Sequence, residues 1–229
     1  MSEPAVEARG LCKTYRQGQH DVVALGDVDL VVEPGELTAL AGPSGSGKTT
    51  LLNLIGALDR PTSGSIRVGG KDLSAMSKAE LARMRRDHIG FVFQAYNLLP
   101  VLSALENAEL VLELQGTPRE ECRERASEVL RAVGLGDMLG RRPAELSGGQ
   151  QQRVAVARAI ASARTLVLAD EPTANLDSKS AESLLDLMVE LNHARQLTFL
   201  FSTHDPRVMA RARRIVHLED GRVVEDELR

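Results

Sequence analysis

The sequence has only two cysteines, Cys12 and Cys122, too few and too far apart for a disulfide framework or a metal-knuckle pattern. Both read as free thiols of a reducing compartment and as core residues rather than ligands. No apolar run approaches the roughly 18 residues of a membrane span. The start, Met-Ser-Glu-Pro-Ala-Val-Glu, carries acid where a secretory signal carries Lys or Arg. A basic excess is lacking too: 28 Lys and Arg stand against 32 Asp and Glu, a formal net charge of −4. A general polyanion binder is basic, so nucleic acid is not expected as a partner. Internal repeats and low-complexity segments are absent, and the chain reads as soluble and cytoplasmic.

What is present is ordinary globular composition. The 229 residues are 43% hydrophobic and 26% charged, which excludes a disordered or collagen-like chain and suits one large or two small domains. Over residues 6–32 short apolar stretches broken by polar turns, notably at 16–21, predict a small β layer. Residues 37–41, after the turn at 33–36, look like a buried parallel strand, and 48–58 like a helix. Hairpins are predicted over 64–73 and 215–224, turning at Gly69-Gly70 and Asp220-Gly221, as antiparallel additions to a parallel core. From about 87 to 162 the character turns helical, and over 120–133 Cys122, Ala126, Val129, Leu130 and Val133 share one face. Residues 165–169, 181–191 and 197–201 read as strand, helix, strand. The expected fold is α/β, a parallel core with a helical insertion.

Gly42-Pro43-Ser44-Gly45-Ser46-Gly47-Lys48-Thr49 fits the phosphate-binding pattern G-x-x-x-x-G-K-[ST] and lies between a predicted strand and a predicted helix. Glycines there let backbone N–H groups wrap phosphate oxygens without Cβ interference, and the helix directs its positive end at the same charge. Lys48 would neutralise the β- and γ-phosphates, and Thr49 would give Mg²⁺ a hydroxyl ligand. Leu166-Val167-Leu168-Ala169-Asp170-Glu171-Pro172 sets two carboxylates at the carboxyl end of an apolar strand, where open α/β sheets hold ligands. Asp170 fits the acid on the Mg²⁺ side, and Glu171 can hold and deprotonate an attacking water. His204 ends the next strand and can reach the γ-phosphate from the same edge.

Leu146-Ser147-Gly148-Gly149-Gln150, followed by Gln151-Gln152-Arg153 and a helix, resembles the signature of ABC-type ATPases. Ser147 and two glycines at a helix start form a second anion-binding surface although one P-loop already cradles phosphates, so a second subunit's nucleotide is the natural client. The resemblance implies one ABC ATPase domain over 1–229. In it 1–86 and 163–229 would form a P-loop NTPase core with a RecA-like parallel sheet and an N-terminal antiparallel β subdomain, and about 87–162 a helical signature subdomain. It implies ATP and Mg²⁺ as cofactors, Tyr15 as the aromatic stacking on adenine, and Thr50 among the ATP-binding residues. Gln94 would be the switch-loop glutamine and a metal ligand beside Thr49 and Asp170. Ala174-Asn175-Leu176-Asp177 would be the dimer-contacting loop, Ala174 replacing a glycine frequent among relatives, and His204 the switch histidine. Two such chains would sandwich two ATP molecules head to tail, Ser147 and Gly149 of one completing the site with Lys48 and Glu171 of the other.

Gly56-Ala57-Leu58-Asp59-Arg60-Pro61-Thr62-Ser63-Gly64 and the stretch from Asn97 to Asn107 look like the bacterial lipoprotein-release and macrolide-export (LolD/MacB-type) group. That resemblance implies an integral-membrane permease partner with few spans and a large extracytoplasmic domain, beneath which this chain would sit on the inner face of the cell membrane. Tyr96, Leu98, Leu99, Val101 and Leu102 offer more apolar surface than a simple loop needs and read as a docking segment. Arg83, Arg85, Arg86 and Arg211, Arg213, Arg214 read as solvated faces or ion pairs. Three other readings compete: a regulator of a cell-wall hydrolase acting through a membrane partner, a soluble ABC protein acting on ribosomes or DNA, and a P-loop kinase. The kinase leaves residues 146–150 unexplained.

Overall fold

The computed structural model describes residues 3–18 and 20–229; Met1 and Ser2 of the acidic start and Gln19 of the first turn lie outside the described residues. The elements run β1 (Val6–Gln17), β2 (His20–Val32), β3 (Leu37–Ala41), α1 (Lys48–Ile55), β4 (Ser63–Val68), β5 (Lys71–Asp72), α2 (Lys78–His88), β6 (Ile89–Val92), α3 (Ala104–Leu114) and α4 (Arg119–Ala132). After two short 3-10 turns follow α5 (Gly148–Ser162), β7 (Leu166–Asp170), α6 (Ser178–Arg195), β8 (Thr198–Thr203), α7 (Pro206–Arg211), β9 (Arg214–Glu219) and β10 (Arg222–Leu228).

The strands form a four-stranded antiparallel sheet, β2-β1-β4-β5, and a six-stranded sheet, β10-β9-β3-β8-β7-β6, parallel except for β10. Every residue of β3 and β8 is buried, as expected of strands covered on both faces. Alternation divides the main sheet between two cores. Leu37, Ala39, Ala41, Phe199 and Phe201 face the layer of α3 to α6, while Leu40, Leu166, Leu168 and Leu200 face α1 and the antiparallel sheet. The carboxyl ends of β3, β7 and β8 thereby come together at one edge.

Several local outcomes differ from the sequence reading. Both hairpins form, but β9 pairs parallel with β3, so only β10 is an antiparallel addition to the main sheet, and β4-β5 belongs to the other sheet. β6 lies within residues 87–162 yet pairs with β7; four residues are too few for periodicity to separate them from the surrounding helices. Helix α1 stops at Ile55, short of residue 58, where Gly56 packs against the Phe91 ring and Ala57 turns left-handed at φ 55°. Helix α6 extends past both ends of 181–191, started by the Asp177 carboxylate accepting the Ser180 N–H and ended by left-handed Gln196.

Most other expectations on packing hold. On α4 Cys122, Ala126, Val129 and Leu130 are buried together, and both cysteines are free, but Cys12, expected in the core, is only partly buried, its Sγ accepting the Asp27 N–H at 3.2 Å. Half of the six cluster arginines are in ion pairs, Arg86 with Asp87, Arg211 with Asp186, and Arg214 with Glu36 and Asp226, while Arg85 donates to the Ala57 carbonyl and Arg213 to the His193 ring. Among the described residues no helix is long and apolar enough to cross a membrane.

Candidate functional site

The loop from β3 to α1 passes between β2 and β9, and its glycines have two separate causes. A Cβ on Gly42 would run into the Leu218 carbonyl, and one on Gly47 would stand 2.7 Å from the Ala24 carbonyl. Gly45 faces open space and is required by its φ of 82° alone, whereas Gly42 and Gly47, at φ 149° and 102°, answer to both crowding and backbone conformation. Two glycines therefore seat the loop on its neighbours, and one shapes its rim. Lys48 opens α1, is 7% exposed, and donates to the Gly42 and Pro43 carbonyls at 2.8 Å each. No carboxylate pairs with it among the described residues, so an ammonium with a third donor unspent faces the cavity. The Ser46 hydroxyl beneath the loop is buried without a hydrogen-bond partner.

Opposite the loop, Thr49 Oγ1 lies 3.3 Å from each carboxylate oxygen of Asp170, the last residue of β7. Glu171 follows in a left-handed conformation, φ 45°, its N–H donating to the Ser202 carbonyl at 2.9 Å. Side chains seldom take this backbone state, and it turns the Glu171 carboxylate toward β8. There Oε1 sits 2.6 Å from His204 Nδ1 and Oε2 accepts the Thr203 hydroxyl at 3.4 Å. His204, directed at a γ-phosphate by its position in the sequence, here engages Glu171.

One cavity of about 390 Å³ collects Ser44, Gly45, Gly47, Lys48, Thr49, Thr50, Gln94, Glu171, Ala174 and His204. Ala24 of β2 joins them, a residue without sequence signal. Gly42, exposed Pro43 and buried Ser46 do not line the cavity, and Asp170 stands beside Thr49. Tyr15 does not line the cavity; its hydroxyl donates to Asp59 Oδ2 at 2.9 Å. Residues 146–150 lie outside it as well. Leu146 is buried, and Ser147 caps α5, its Oγ accepting the Gln150 N–H at 3.3 Å while Gln150 Oε1 accepts the Ser147 N–H at 2.9 Å. Gly148 and Gly149 pack closely against Tyr96 and Ser180. Asn175 donates to the Gln94 carbonyl at 2.9 Å, Leu176 packs on the core, and Asp177 caps α6.

Two further groups hold this region and carry no local sequence signal. Arg158 of α5 donates to the carbonyls of Tyr96 and Asn97, consecutive left-handed residues after Gln94, and burial pushes its guanidinium pKa down. Asp205, after His204, pairs with Arg207 at 2.7 Å and accepts the Thr173 hydroxyl; chiefly through Arg207 its carboxyl is pulled down to about 2. Of the apolar segment nearby, Leu98 packs on the core whereas Leu99 and Val101 stand 43% and 72% exposed. A buried ammonium, a helix N-terminus, a hydroxyl beside a carboxylate, and a carboxylate–histidine pair around one cavity suit the binding and hydrolysis of a polyphosphate.

Comparison with known proteins agrees. The family model described as ABC transporter matches residues 25–174. The chain is 52% identical over 227 residues to the lipoprotein-releasing system ATP-binding protein LolD of Anaeromyxobacter dehalogenans, covering 99% of this chain and 95% of that one. It is 50% identical over 228 residues to the macrolide export ATP-binding/permease protein MacB of Rhodopseudomonas palustris, covering 100% of this chain but 35% of the relative. The chain thus spans about a third of the length of the MacB relatives it matches. Among solved structures, a dimeric ATP-binding cassette in a post-hydrolysis state bound to ADP and Pi superposes with a TM-score of 0.89 at 43% identity, covering 97% of this chain and 98% of that one.

Proposed function

The chain belongs to the ABC transporter family, and from that premise we propose that it is an ATP-binding and ATP-hydrolysing subunit that energises a LolD/MacB-type membrane complex as a head-to-tail dimer. The observation that carries this reading is the convergence of Lys48, Thr49, Thr50, Gln94, Glu171 and His204 on one cavity from which Ser147, Gly148 and Gly149 are absent. A phosphate site made by one chain and a second anion-binding helix start left outside it call for a partner copy.

Mg²⁺ is a hard cation that takes few protein oxygens besides phosphate and water, and the Thr49 hydroxyl beside Asp170 is a donor set that fits it. When bound there with Gln94 completing the set, it would neutralise charge on the β- and γ-phosphates. Lys48 redirects its free donor to the same phosphates, and the N–H groups of residues 44–49 with the α1 N-terminus receive their oxygens. Glu171 acts as base toward the attacking water, and His204, bonded to its Oε1, fixes its orientation and can turn its exposed ring to the γ-phosphate. Ser147 and Gly149 of the second copy close the nucleotide from the other side, and Ala174 to Asp177, tied to Gln94 through Asn175, carry the contact between copies.

Residues 1–86 with 163–229 act as the catalytic core, which takes in β6 and Gln94 from the stretch that follows residue 86, and the rest of about 87–162, with helices α3 to α5, acts as a helical subdomain bearing the signature. Leu99 and Val101 next to Gln94 supply the exposed apolar surface for an integral-membrane permease with an extracytoplasmic domain, which holds the chain on the inner face of the membrane. The test is a detergent pull-down of tagged Glu171→Gln chain with ATP from its native cell. Recovery of a permease with a large extracytoplasmic domain supports the reading; recovery of ribosomes or DNA-bound proteins, or of nothing from membranes, contradicts it.

A further inference from the structure

The stretch 56–64 resembles one branch of the family, and in the structure one of its residues, Asp59, reaches across 44 positions to Tyr15. Lys13 and Tyr15, two apart on β1, project from one face of the strand. The Lys13 ammonium stands 4.7 Å from the centroid of the Tyr15 ring, 2.8 Å from Asp59 Oδ2 and 2.7 Å from the Arg60 carbonyl. The Tyr15 hydroxyl donates to the same Asp59 oxygen at 2.9 Å, and Asp59 Oδ1 accepts the Arg60 N–H at 2.7 Å. The ring is therefore held at two places, a cation over one face and a carboxylate at its hydroxyl edge. Burial, helped by Asp59, pushes the phenol pKa up, and Lys13 with the Arg60 N–H keeps the Asp59 pKa low against its own burial. Asp59 follows α1, whose first residues line the phosphate cavity. Val22, the cross-strand neighbour of Tyr15, is 43% exposed and extends apolar surface beside the ring.

We propose that Lys13 and Asp59 are positioning residues for base recognition: they fix the Tyr15 ring with the ammonium on one face and leave the other face to receive the base of the nucleotide held at the phosphate loop. The proposal rests on the reading of Tyr15 as the base-stacking residue. A tyrosine free to turn would lose rotamer freedom on stacking, and a ring already immobilised loses none. The cation also polarises the ring on the side away from the base. A merely structural triad, tying β1 to the segment after α1, would affect stability and leave base recognition alone.

The test is calorimetric titration of the full chain with Mg²⁺ and either ATP or inorganic tripolyphosphate, which has the phosphates and no base. Tyr15→Ala is expected to weaken ATP about tenfold and leave tripolyphosphate unchanged. Lys13→Met and Asp59→Asn are each expected to weaken ATP about three- to tenfold, again sparing tripolyphosphate, and Lys13→Arg to restore ATP affinity. In a Tyr96→Phe background, which leaves Tyr15 as the one tyrosine, the ultraviolet phenol titration should move down on Asp59→Asn. If Tyr15→Ala weakens ATP while the Lys13 and Asp59 variants bind it like the parent, the positioning proposal is overturned and stacking stands. If Tyr15→Ala binds ATP like the parent, the stacking reading itself fails. A parallel loss of ATP and tripolyphosphate in the Lys13 and Asp59 variants also overturns the proposal, since they would then act through the phosphate loop. Should Lys13→Met not fold, the nearly isosteric Asp59→Asn decides.

Discussion

Lys48→Met separates binding from folding, because the structure assigns this buried ammonium two carbonyl partners and no carboxylate. Removing it takes away a desolvated charge together with two hydrogen bonds of 2.8 Å, and a methionine of similar length refills the space. The two effects oppose each other, so the nucleotide-free chain should keep its stability to within about 1 kcal/mol, or roughly 4 °C in Tm. Binding has no such compensation. Hydrogen bonds to charged groups contribute about 1.5–3 kcal/mol each, and loss of the one that the free donor makes to the phosphates weakens ATP by about 10- to 150-fold. Differential scanning fluorimetry reads both quantities at once. At ATP concentrations near 100 times the wild-type Kd, linkage stabilises the wild type by about 2.7 kcal/mol, a rise of about 5–11 °C, while the variant rises by less than about half as much. An undiminished ATP shift in the variant would remove Lys48 from the phosphate site, and a collapse of the nucleotide-free Tm by more than about 10 °C would make it a structural residue.

Four more outcomes follow from the same geometry. Glu171→Gln keeps shape and loses the base, so ATP binding measured by calorimetry should persist while phosphate release falls at least about 100-fold; near-normal turnover would reassign the base. Ser147→Arg should abolish hydrolysis and leave ATP binding by the isolated chain intact, and a loss of that binding would place Ser147 in its own chain's site. Gly42→Ala meets the Leu218 carbonyl and should lower chemical-denaturation stability by about 2–4 kcal/mol, so an unchanged midpoint would show that the loop can move away. Asp205, with its folded pKa near 2 against an ordinary 3.8, contributes stability that is present above about pH 4 and lost as the pH falls toward 2. Arg207→Ala should flatten that part of the acid-unfolding curve, and an unchanged curve would refute the pairing.

How far the sequence reaches depends on how local each feature is. Residues 37–41 form β3 at the expected bounds, and the phosphate loop, Asp170 and Glu171 at the end of β7, and His204 all arrive at one sheet edge, because each sits at the end of a short apolar run whose burial fixes its direction. Ser147 and Gln150 are a cap readable from their three-residue spacing. Contacts across long separations left no trace in composition or period: Tyr15 on Asp59, Arg158 on the left-handed carbonyls of Tyr96 and Asn97, and Ala24 in the cavity wall. Backbone conformation was equally hidden. Nothing in Leu-Ala-Asp-Glu-Pro announces that Glu171 is left-handed and turned onto His204, since that geometry is imposed by the Ser202 carbonyl of the neighbouring strand. In the segment read as a docking stretch the direction of each side chain was not legible: Leu98 turns to the core and Leu99 and Val101 to solvent.

The central claim, that two copies share each nucleotide, is tested most directly by sedimentation of Glu171→Gln with and without ATP and Mg²⁺, alongside Glu171→Gln carrying Ser147→Arg. The account predicts a doubling of mass with ATP in the first protein and a monomer under all conditions in the second. A first protein that remains monomeric with saturating ATP, or a dimer indifferent to Ser147→Arg, would contradict it.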